Sequence, residues 1–146
     1  MFADLFKRLT APDPAPLSDT DARVALGALL VRIARTDGEY DADEAAQIDA
    51  VLKSRYGLAD AQAQALRQDC ETAEAEAPDT VRFTRAIKEA VPYEDRIGVI
   101  EALWSVVMAD GKRDKAEDAL LRMVAPMLGV TDQDSHKARL RVSPDV

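Results

Sequence analysis

The chain has one cysteine, one histidine and 5% aromatic residues. No apolar run approaches the 18 residues that a membrane-spanning helix needs. Each scarcity closes off a class of protein. Cys70 alone makes no internal disulfide, so the fold must rest on its core, and an unpaired thiol suits the cytoplasm. His136 alone excludes any site that needs two imidazoles. Six glycines and seven prolines are too few for collagen-like or low-complexity chains. Asp4, Lys7 and Arg8 break the first apolar stretch, and no small-residue cleavage site follows it. That does not read as a secretory signal, and the expected location is cytoplasmic.

What is present is a chain of 146 residues, 47% hydrophobic and 32% charged. This is the size of one domain with a core of its own. Twenty-seven acidic residues against 19 basic ones give a net charge of −8. Nucleic-acid phosphate is recognised by an excess of Lys and Arg, so no nucleic-acid partner is expected.

The spacing of apolar residues predicts an all-α protein, a single seven-helix bundle with a further short helix ahead of it. Phe2, Leu5, Phe6 and Leu9 form one stripe, so residues 1–10 are an amphipathic helix. Pro12, Pro14 and Pro16 follow as a stiff linker, which sets residues 1–17 apart from a helical domain over 18–146. The stripe is expected to dock on the bundle or on a partner; two cations ahead of an acidic body make at most a peripheral membrane anchor.

Within the body, Ser18 or Asp19 caps a first helix that Gly38 stops. A second runs from about Asp41 to Arg55 and a third from about Asp60 to Glu76. Asp79 or Thr80 caps a fourth, with Val81, Phe83, Ile87 and Val91 as its apolar set. A fifth runs from Tyr93 to Ala109, a sixth from Asp114 to Leu128, and Thr131 caps a seventh. Trp104 lies in an apolar stretch and is expected to pack in the core. Cys70 stands between Asp69 and Glu71, acids that disfavour a thiolate, and His136 is expected to be solvated. No Gly-rich phosphate loop, dinucleotide fingerprint or Glu-x-x-His pair occurs, and the chain is expected not to be an enzyme.

One pattern occurs twice. At an offset of 73 residues, Asp37, Gly38, Asp41 and Glu44 match Asp110, Gly111, Asp114 and Glu117. Leu30, Ile33, Ile48 and Val51 match Leu103, Val106, Leu121 and Val124, and Gly57 then matches Gly129. Two pseudo-symmetric helical hairpins around one core follow. Asp-Gly-x-x-Asp-x-x-Glu has two readings. Gly as a helix stop, Asp as the next N-cap and Glu three residues later make a capping box. That leaves Asp37 and Asp110, carboxylates at the unfavourable carboxyl end of a helix dipole. With the other acids they make an all-oxygen set of the kind a hard divalent cation takes, calcium above all. The first copy has five acids in eight residues, Asp37 to Glu44; the second carries Lys112, Arg113 and Lys115, which supply countercharge of their own.

Two copies of helix, Asp-Gly-x-x-Asp-x-x-Glu, helix in an acidic chain of this size resemble the TerB family of tellurite-resistance-associated proteins. They also resemble the related N-terminal domain of DjlA-type co-chaperones. Ala34-Arg35-Thr36-Asp37-Gly38 and Val107-Met108-Ala109-Asp110-Gly111 carry the likeness most strongly. The resemblance implies a seven-helix fold and a bacterial cytoplasmic stress-response setting; separately, a protein partner is expected. It also implies a divalent metal at Asp37, Asp41, Glu44, Asp110, Asp114 and Glu117. The expected function is a non-enzymatic acidic binding module, or else a metal-free protein–protein scaffold whose motifs are only helix caps.

Overall fold

The computed structural model describes residues 19–36, 40–77, 79–109 and 115–142, and the side chains among them except those of 19–21 and 115–118. All the regular structure there is helical: α1 (Asp19–Ala34), α2 (Ala42–Tyr56), α3 (Asp60–Glu76), α4 (Val81–Ala90), α5 (Tyr93–Val107), α6 (Lys115–Met127) and α7 (Asp132–Val142). These are the seven expected helices. The expected helix over 1–10 and its proline linker lie outside the described residues. No described helix is long and apolar enough to cross a membrane.

α1 is the axis of the bundle. Val24, Leu26, Leu29, Leu30, Ile33 and Ala34 are at most 2% exposed, and so are Ala25, Ala28 and Val31; Gly27 is buried too, and of this stretch Arg32 alone is part-exposed. A helix apolar around nearly its whole circumference must be surrounded. α2, α3, α4, α5 and α6 all pack on it, and α7 closes the bundle against α5. α1 meets α3 at Gly27, where a methyl group would overlap the Cys70 sulphur, so only glycine permits this approach.

The helix ends follow local chemistry. Gly57 and Gly129 adopt φ of 64° and 75°, the left-handed conformation that stops α2 and α6. The Asp79 carboxylate accepts from the Arg82 amide at 3.2 Å, while Thr80 makes no side-chain cap. Thr131 Oγ1 accepts from the Asp134 amide at 3.1 Å and starts α7. One expected core residue is misplaced: Val81 is 46% exposed, and α4 buries Phe83, Thr84, Ala86 and Ile87 instead. Two helical residues turn through about 200°, so Val81 and Phe83 cannot share a face.

The duplicated hairpin is visible in the backbone. Arg35 and Thr36 donate to Val31 and Ile33 carbonyls at the end of α1; Met108 and Ala109 donate to Trp104 and Val106 at the end of α5. Leu58 donates back to Lys53, and Val130 back to Ala125. Every pair falls at matching positions of the repeat. The side chains have diverged. Arg23 lies 4.8 Å over the Tyr56 ring, whereas its counterpart Arg96 donates to the Leu128 carbonyl at 2.7 Å.

Candidate functional site

The first acidic elbow joins α1 to α2. Tyr40 and Asp41 lead into α2; Asp37, Gly38 and Glu39 lie outside the described residues. Asp41 is the N-cap, with extended backbone at φ −91° and ψ 174°. Its Oδ1 accepts from the Glu44 amide at 2.8 Å, and Glu44 Oε1 accepts from the Asp41 amide at 3.3 Å. This is a complete capping box, as the spacing predicts. Asp41 is exposed, but Glu44 is 2% exposed, so of this pair one carboxylate lies at the surface and one in the interior. Asp43 and Glu44 in the first turn also favour the positive end of the helix dipole.

The elbow is anchored to α3 by contacts that nothing local in the sequence announces. The Tyr40 hydroxyl donates to Glu71 Oε2 at 2.6 Å. Arg67 donates to the same oxygen at 2.8 Å and to Asp49 Oδ1 at 2.6 Å, which joins α2, α3 and the elbow. Burial and the neighbouring Glu71 carboxylate push the Tyr40 phenol up from its usual range, so it remains a donor.

One turn along α3, Glu74 takes Arg32 at 3.0 Å and Arg35 at 2.6 Å. Arg32 also donates to the carbonyls of Glu74 and Ala77 at 3.0 Å, filling acceptors at the end of α3, and lies 5.2 Å over the Phe83 ring. Glu71 and Glu74, three residues apart, thus share one helix face and hold both sides of the elbow.

At the second elbow, Asp110 and Asp114 lie outside the described residues. Glu117 falls in the first turn of α6, with its side chain outside them. The structure therefore brings Asp41 and Glu44 together and does not place Asp37, Asp110 and Asp114. Among the described residues no three His, Cys, Asp or Glu side chains gather in a form that could hold a metal ion. Cys70 is fully buried, and burial first, then Asp69 and Glu71, raise its thiol far above the ordinary range. Trp104 is 3% exposed and packs in the core as expected.

A family model described as tellurite resistance protein TerB matches residues 23–140. No curated protein and no solved structure matches the chain. The matched span begins within α1 and ends within α7, and includes both acidic elbows.

Proposed function

The chain belongs to the TerB family of tellurite resistance proteins, and from that premise we propose that it is a non-catalytic binding module whose working element is the first acidic elbow. The observation that carries this reading is the density of acids at one turn. Asp41 and Glu44 meet at the start of α2, Asp37 stands four residues before Asp41, and Glu39 and Asp43 fall in the same eight residues. Clustered carboxylates repel one another, and a bound cation relieves that repulsion. The donors available are carboxylates and turn carbonyls, hard oxygens that fit calcium better than a softer metal. Asp37, Asp41 and Glu44 would hold the ion and draw the end of α1 and the start of α2 onto one point. The second elbow, Asp110, Asp114 and Glu117, is the weaker candidate because Lys112, Arg113 and Lys115 lie beside its acids. The setting we propose is a tellurite or stress response in the bacterial cytoplasm, with a protein partner.

A second reading rests on the completed capping box. Both Asp41 and Glu44 already hydrogen-bond the amides that a cap requires. On this reading the elbow is only a helix start, and the bundle is a metal-free scaffold for a protein partner.

Titration with Ca²⁺, Mg²⁺ and Zn²⁺, followed by calorimetry and amide shifts, separates the two. Saturable shifts confined to residues 36–45 at micromolar Ca²⁺, abolished by Asp37→Asn, support the metal reading. The absence of a saturable response overturns it. Thermal unfolding of Asp37→Asn gives an independent check. Under the cap-only reading it is neutral or slightly stabilising with or without chelator, since it removes a charge that opposes the α1 dipole.

A further inference from the structure

A pocket of about 520 Å³ opens among α5, α6 and α7, away from the first elbow. Its walls come from helical stripes. α7 supplies Asp132, Ser135, His136 and Arg139, spaced one helical face apart, and α6 supplies Arg122 with the apolar Ala125 and Pro126. Trp104 of α5 lines it as well.

Two polar atoms of these lining residues are buried and have no hydrogen-bond partner among the described residues: the Trp104 indole Nε1 and Arg139 Nη1. Both groups can only donate. A buried donor left without an acceptor is costly, and here two residues that line one pocket each hold such a donor just beneath its wall. The local charge also opposes that of the molecule. Two guanidiniums face one carboxylate in a chain of net charge −8. Arg139 Nη2 lies 3.4 Å from His136 Nδ1, which leaves its Nη1 directed elsewhere. The volume exceeds that of a bare inorganic ion and falls in the range of small-molecule pockets.

We propose that this pocket binds a small organic anion, a phosphate monoester or carboxylate. Its anionic oxygens accept from Trp104 Nε1 and Arg139, with Arg122 adding charge, and its apolar body lies against Ala125 and Pro126. Nothing in this depends on a cation at the first elbow.

Trp104 and His136 are the only tryptophan and the only histidine of the chain, so one indole N–H signal and one imidazole report the pocket without ambiguity. The full chain is titrated with phenyl phosphate, benzoate and inorganic phosphate at constant ionic strength. The expected result is a saturable shift of the indole N–H with a Kd on the order of 1 mM or tighter for one of the two organic anions. The better headgroup identifies the class. Inorganic phosphate should bind roughly tenfold more weakly, and Arg139→Gln should weaken the organic anion by roughly tenfold, the effect of one charge-assisted hydrogen bond. Arg139 is part-exposed, and an unchanged thermal midpoint without ligand verifies that its variant is folded. Trp104→Phe, read through His136, should weaken binding too, and Arg122→Gln provides a second variant on an exposed residue. No saturable shift, equal binding of inorganic phosphate, or binding unaffected by both Arg139→Gln and Arg122→Gln would overturn the proposal.

Discussion

Gly27 of α1 and Cys70 of α3 face each other so closely that the hydrogen on the glycine α-carbon is the largest substituent the contact admits. Gly27→Ala should therefore destabilise the fold by about 1–3 kcal/mol through overpacking. Cys70→Ala alone should cost less, and adding it to Gly27→Ala should recover a large part of the loss, because the sulphur is the atom in the way. Urea unfolding of the two single variants and the double variant measures the coupling, and strict additivity would contradict the contact.

The same cysteine makes stability depend on alkaline pH. Its folded-state thiol is raised, so the unfolded chain loses this proton first. The contribution is fully present below the unfolded thiol's value of about 8.5 and declines as pH rises above it. Between about 8.5 and 10, before tyrosines ionise in the unfolded chain, unfolding free energy should fall by up to ~1.4 kcal/mol per pH unit. Cys70→Ala should flatten that slope. In the native protein at neutral pH, the thiol should react with Ellman's reagent only at the rate of unfolding.

Arg32→Met keeps the stem of the side chain and removes the fork that holds the Glu74 carboxylate and two carbonyls of α3. The expected loss is about 2 kcal/mol, moderated because Arg35 still pairs with Glu74. Arg32→Lys should rescue little, since one ammonium cannot reproduce the planar set of donors. Denaturant midpoints for both variants check this.

Asp41→Ala should cost about 1 kcal/mol through loss of the N-cap, and Asp41→Asn much less, because asparagine also caps well. On the metal reading, Ca²⁺ binding should fall in both variants. Thermal unfolding with and without Ca²⁺ therefore divides the cap from the ion.

The order and limits of the helices were legible because their punctuation is local. Gly57 and Gly129 take the positive φ that the stops need, Asp41 and Glu44 close the box that their spacing announces, and Thr131 caps α7. The duplicated hairpin was legible for the same reason. Arg32 and Glu74 were not, since they are 42 residues apart and only the packing of α1 on α3 brings them together. The same holds for Tyr40 and Glu71, 31 apart. Val81 is exposed although hydrophobic because its angle around α4, not its side chain's hydrophobicity, decides which side it faces. Of the proposed metal ligands, Asp41 and Glu44 lie where their spacing puts them, while Asp37, Asp110 and Asp114 fall outside the described residues.

A central rod wrapped by five neighbours has little surface of its own to offer, since only Arg23 and Arg32 among its described side chains are part-exposed. Recognition has to be delegated to the periphery, to the elbows and the outer helices. Substitutions along α1 will thus mimic loss of binding when what has failed is the platform, and a mutational survey of this protein should score folding before it scores affinity.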